Sequence, residues 1–96
     1  MGYKLLIEKR VRKFLKELKK EKKKYIQLVE KIWDLTENPY PQDVKKIQGL
    51  KETFLRVDVG EFRIIYQVKK KNKTVLIILI AERNDGLIYQ IFNRIK

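Results

Sequence analysis

Apolar and polar side chains alternate with period two on both sides of Gly60-Glu61. Before the glycine, Leu55, Val57 and Val59 alternate with Arg56 and Asp58. After it, Phe62, Ile64, Tyr66 and Val68 alternate with Arg63, Ile65 and Gln67. Period two marks a strand, and a glycine between two such runs marks a hairpin turn. With Gly60 and Glu61 at the centre of a II′-type turn, Asp58 falls opposite Arg63. Arg56 is then diagonal to Arg63 on the same face. Residues 74–81 are apolar on both faces, which predicts a strand in the middle of a sheet with helices behind it. Val11, Phe14, Leu15 and Leu18 recur at helical spacing, as do Tyr25, Leu28, Val29 and Ile32 with Trp33 beside them. Asn38-Pro39-Tyr40-Pro41 ends the second helix, because a residue before proline is pushed out of the α region.

The remaining stretches complete the outline. Residues 3–8 read as a first strand, 19–24 as a solvated connection, and 42–51 as turn and linker with Val44, Ile47 and Leu50 as anchors. Ile88, Ile91, Phe92 and Ile95 follow Asp85, a helix-capping residue type, and predict a short C-terminal helix. The expected fold is α+β, one domain over residues 1–96. Its order is strand-helix-helix-strand-strand-strand, with an antiparallel-rich sheet packed by a helical hairpin.

Charge alters this picture. The net charge is +12, and it is uneven: 11 basic and 3 acidic groups in residues 1–24, 5 and 6 in 25–60, 8 and 3 in 61–96. Such a field draws nucleic acid, anionic membrane or acidic protein. A lysine-rich solvated surface produces the same balance with no partner. There is no cysteine or histidine, which removes disulfides, thiolate chemistry and the commonest metal ligands. No apolar run is long enough for a membrane span, and no signal-peptide core opens the chain. The expected location is the cytoplasm.

Three strings carry a resemblance: Lys46-Ile47-Gln48-Gly49-Leu50, then Leu55-Arg56-Val57, then Gly60-Glu61-Phe62-Arg63-Ile64-Ile65-Tyr66. Together with the apolar strand, Arg83 after it, and Tyr89 six residues later, they resemble the RelE/ParE toxin superfamily, in its RelE-like branch. The resemblance spans nearly the whole chain and implies the toxin of a type II toxin–antitoxin pair. RelE-like members cut mRNA in the ribosomal A site by attack of a 2′-hydroxyl on the scissile phosphate. An antitoxin in a hetero-oligomer, the ribosome and mRNA are the implied partners, with no metal or cofactor. Residues matching Arg56, Arg63, Arg83 and Tyr89 belong to the family site.

The chemistry assigns roles on its own terms. Arginine forks grip phosphate oxygens and stay charged, which also makes them poor bases. Arg63 and Arg83 are assigned to the scissile phosphate, with Arg83 alternatively assisting the leaving oxygen. Arg56 positions the backbone, and Lys51 is a second substrate-binding candidate. Tyr89 stacks on a base, orients the 2′-hydroxyl or shares in proton transfer; a half-buried packing tyrosine is the plain alternative. RelE carries a lysine where Phe54 stands here. Asp58, Glu52 or Glu82 are the remaining base candidates; a salt bridge to Arg63 would depress the Asp58 pKa and weaken it as a base, so an orienting partner of Arg63 is the preferred role for Asp58. Two other readings compete: a ParE-like toxin that binds a DNA topoisomerase, and a basic nucleic-acid-binding module without enzymatic activity.

Overall fold

The computed structural model describes residues 2–47 and 53–83. Its elements are β1 (Lys4–Ile7), α1 (Lys9–Leu18), α2 (Lys22–Glu37), β2 (Lys45–Ile47), β3 (Phe54–Val59), β4 (Phe62–Lys69) and β5 (Thr74–Glu82). The five strands form one sheet in the order β1-β5-β4-β3-β2. All neighbours are antiparallel except β1 and β5, which run parallel. The fully apolar run thus lies inside the sheet, between β1 and β4, as its two-sided burial requires. The expected C-terminal helix lies outside the described residues.

Two expectations change. Residues 42–51 are not simply turn and linker, because Lys45–Ile47 adds an edge strand to β3. Three residues reading Lys-Lys-Ile carry no alternation to detect, and lysines on an edge discourage further pairing. The lysine run at 19–24 also divides: α2 already begins at Lys22, and Lys24 bridges Glu21 and Glu61, both at 3.0 Å. Lysine is a good helix former, so a solvated lysine run does not itself stop a helix.

Packing follows the alternation. Leu55, Val57, Phe62, Ile64 and Tyr66 face α1 and α2 and share one core with Val11, Leu28, Ile32 and Leu35. Phe14 meets Phe62 edge to face, with centroids 5.7 Å apart. Such burial contributes about 1.5–3 kcal/mol per large aliphatic side chain. The opposite face holds a smaller cluster of Phe54, Ile65, Ile78 and Leu79. It depends on a bulge: Ile65 pairs with Leu79 but Tyr66 pairs with Ile77, leaving Ile78 as the extra residue. Two successive side chains of β5, Ile78 and Leu79, therefore join the same cluster.

Two details fix the hairpin and the loop behind it. Val59 pairs with Phe62, so Gly60-Glu61 is a two-residue turn, and Gly60 has φ +56° while Glu61 stays at negative φ. Glycine first and an ordinary residue second suits type II′. On the helix side, the buried Tyr66 hydroxyl donates to the Pro39 carbonyl at 2.7 Å. Burial pushes that hydroxyl's pKa up, so it remains a donor. No helix among the described residues is long and apolar enough to cross a membrane.

Candidate functional site

The hairpin register puts Asp58 directly opposite Arg63, with Arg56 opposite Ile65 on the same face. This face is turned away from α1 and α2. Arg63 Nε donates to Asp58 Oδ1 at 2.8 Å, and Nη2 reaches Oδ2 at 3.5 Å. The third guanidinium arrives from β5. Phe62 pairs with Glu82 at the last rung of the β4–β5 ladder, so Arg83 leaves the sheet beside the hairpin turn. Its backbone N–H donates to the Glu61 carbonyl at 2.8 Å, and its Nη1 donates to the Gly60 carbonyl at 3.3 Å. Its Nε lies 3.4 Å from Asp58 Oδ2. One carboxylate is thus shared by two arginines, one on β4 and one just past the end of β5.

The arginines differ in exposure. Arg63 is buried, with 7% of its surface accessible. The Arg83 side chain is 49% accessible, and Arg56 is half-buried. Arg63 is therefore an inner cation locked to Asp58, whereas Arg83 presents its charge outward. The Arg63 hydrogen bond holds the Asp58 carboxyl below its ordinary value; partial burial opposes this, and the charges of Arg63, Arg83 and Arg56 reinforce it. Asp58 is consequently ionised at neutral pH and a weak proton acceptor, which suits it to orienting the arginines.

That shift has a measurable consequence. A carboxyl whose folded pKa is depressed stabilises the fold above its unfolded pKa, about 3.9 for aspartate, and the contribution fades as pH falls through the lower folded value. The wild-type melting temperature should therefore drop between about pH 4 and pH 2 more steeply than that of Asp58→Asn. Melting curves across this range check it; superimposable acid limbs would remove the assignment.

The remaining candidates fall as follows. Glu82 pairs with Phe62 and belongs to the helix-side register, away from the arginines. Phe54 is buried in the apolar cluster next to Arg56. Tyr89, Lys51 and Glu52 lie outside the described residues. One further cation was not legible in the sequence: Lys45 of β2 pairs with Arg56. With Asp43, Arg56 and Asp58 it lines a shallow cleft of about 240 Å³. Only strand pairing reveals it, since the Lys-Lys-Ile segment has no periodicity. No cluster of three metal-ligating side chains occurs among the described residues. Counted together, Lys45, Arg56, Arg63 and Arg83 carry four positive charges against the Asp43 and Asp58 carboxylates in this region. The arrangement can grip and polarise a phosphodiester.

The family model for the ParE toxin of type II toxin–antitoxin systems, parDE, matches residues 5–86. RelE1 of Methanocaldococcus jannaschii is 36% identical over 90 residues, which cover 90% of this chain and 96% of that protein. A chain of the archaeal RelE–RelB complex from Pyrococcus horikoshii OT3 superposes with a TM-score of 0.75 at 31% identity, covering 88% of this chain and 99% of its own. A mutant of the E. coli toxin RelE in the free state, with two arginines replaced by alanine, superposes with a TM-score of 0.72 over the whole of both chains. At 22% identity, that last match speaks for the fold alone.

Proposed function

Because the chain belongs to the RelE/ParE superfamily of type II toxin–antitoxin toxins, we propose that it is a ribosome-dependent endoribonuclease that cuts mRNA in the A site and arrests translation. The observation that carries this reading is the half-exposed Arg83 held beside the Asp58–Arg63 pair on a rigid sheet. The 2′-hydroxyl oxygen attacks the adjacent phosphorus, its proton leaves to a base, and the bond from phosphorus to the 5′ oxygen breaks. The 5′ oxygen takes up a proton, so a 2′,3′-cyclic phosphate and a free 5′-hydroxyl result without water being consumed.

Charge builds on the phosphate oxygens in the transition state, where a preoriented guanidinium lowers the barrier most. Arg83 meets those oxygens. Arg63 supplies field from below and, through Asp58, fixes the plane of Arg83. Arg56 and Lys45 hold the flanking backbone, and Lys51 extends that contact. Tyr89 orients the 2′-hydroxyl or shares in proton transfer, a role its ordinary pKa of about 10 permits only next to cations. Neutralisation requires a cognate antitoxin that is acidic or amphipathic, giving a toxin–antitoxin hetero-oligomer in the cytoplasm.

The matching family model favours a second reading, a ParE-like toxin that inhibits a DNA topoisomerase by binding. Inducible expression of wild type and Arg63→Ala/Arg83→Ala, with mapping of mRNA 5′ ends, separates the two. Growth arrest with new, codon-positioned ends that vanish in the double variant is expected. Arrest with a DNA-damage response and no new ends would transfer the chain to the topoisomerase reading. Harmless expression would leave a nucleic-acid-binding module.

A further inference from the structure

We infer that a pocket on the sheet face opposite the arginines is an anchor site for an acidic peptide segment, which inserts one apolar side chain there. The pocket encloses about 440 Å³ between the loop after α2 and strands β2, β3 and β4. Val44, Leu55 and Val68 supply its apolar lining, Tyr40 is a wall, and Lys46 and Lys70 carry its charge. Among the described residues its lining contains no carboxylate. The pocket lies on the helix-side register of the sheet, because Leu55 and Val68 pack with the main core. It is therefore separated by the thickness of the sheet from Arg56 and Arg63.

The site is built rather than incidental. Tyr66 pins the Pro39 carbonyl at 2.7 Å, the Tyr40 N–H donates to Asn38 Oδ1 at 3.2 Å, and the Val44 N–H donates to the Pro41 carbonyl at 3.1 Å. Asp43, the nearest carboxylate in the loop, is turned to Lys31 at 3.5 Å. The Lys70 ammonium stands 5.6 Å from the centre of the Tyr40 ring, in cation–π range. Three hydrogen bonds thus hold an aromatic wall over an apolar lining without help from a ligand.

The chemistry selects the occupant. Val44, Leu55 and Val68 offer aliphatic contact to a leucine-like or phenylalanine-like side chain, with Thr53 and the Tyr40 hydroxyl as the neutral polar groups in the lining. Among the described residues no carboxylate faces the Lys46 and Lys70 ammonium groups in the lining, which calls for carboxylates on either side of that residue. The chain's own net charge of +12 draws such a segment in. This inference rests on the antitoxin half of the proposed function. It adds that the partner holds the toxin from behind the sheet.

The test is titration of the 15N-labelled protein with the capped peptide Glu-Asp-Leu-Asp-Glu. Saturable amide shifts at Val44, Leu55 and Val68 are expected. The alanine-centred peptide should bind about tenfold more weakly, as loss of one buried aliphatic side chain dictates. Lys46→Glu/Lys70→Glu, both exposed positions, should lose binding while keeping the dispersed spectrum and full mRNA cleavage. The inference is overturned if the alanine-centred peptide or Lys-Lys-Leu-Lys-Lys shifts the same amides equally, or if pentauridylate does. Absence of binding in a protein that still cuts mRNA overturns the anchor site alone. Binding in a protein that cuts nothing supports the site while removing the nuclease reading.

Discussion

Arg83→Ala should lower the single-turnover rate of A-site mRNA cleavage by about 10²–10³-fold, the usual effect of removing one preorganised donor from a developing oxyanion. The expectation rests on exposure: of the two arginines on Asp58, Arg83 is the one whose side chain is about half accessible. Its ion pair with Asp58 is a surface contact, worth about 0–1 kcal/mol. Its backbone bond to Glu61 does not depend on the side chain. The variant should therefore melt within a few degrees of wild type, so its lost activity reports chemistry and not folding. Arg83→Lys keeps the charge but loses the planar fork, and should recover only part of the rate. Arg63→Ala behaves differently. It strips a buried cation from Asp58 and should reduce stability and cleavage together. Cleavage kinetics on programmed ribosomes, paired with thermal melts, measure both quantities. An Arg83→Ala protein that cuts as fast as wild type would remove Arg83 from the phosphate.

Ile77→Ala should cost about 2–5 kcal/mol, the range for truncating a fully buried aliphatic side chain. Ile77 is inaccessible to solvent, lies opposite Tyr66, and belongs to the core under α1 and α2. It also pairs with Ile7 of β1, and its carbonyl accepts the Glu8 N–H at 3.1 Å. Little can collapse into the space it leaves, because sheet neighbours fix both sides. Domains of this kind have about 5–15 kcal/mol in total, so much of the stability goes at once. Urea unfolding should show a lower midpoint at unchanged slope. Leu6→Ser serves as the control, since Leu6 is 58% exposed on the edge strand and should change little. A loss below about 1 kcal/mol for Ile77→Ala would mean that the core does not close on β5 as described.

The sheet's centre could be read from the chain because its signals are local. Alternation around Gly60 set the hairpin register, and that register alone put Asp58 opposite Arg63. The apolar run at 74–81 announced a buried strand before any partner was known. Other features could not be read, because they arise from contacts between distant segments. The parallel pairing of β1 with β5 has no signature within either strand. The approach of Arg83 to Asp58 follows from the β4–β5 ladder, and Lys45 joins the basic face only through its pairing with Arg56. The bulge at Ile78 was equally invisible, since an all-apolar run looks the same with or without one extra residue. Trp33 shows the opposite failure: helical spacing placed it beside the packing stripe, yet it is 58% exposed.

The sheet order also sets a timetable. The first of the described strands, β1, pairs with the last of them, β5, and Arg83 directly follows β5. The β3–β4 hairpin closes over a two-residue turn and by itself brings Arg56, Asp58 and Arg63 onto one face. The outer guanidinium reaches Asp58 only once the β4–β5 ladder has closed, and the pairing of β1 with β5 is the longer-range contact, a slow class. A chain in which β5 has not yet closed onto β4 therefore lacks the outer guanidinium of the proposed phosphate grip.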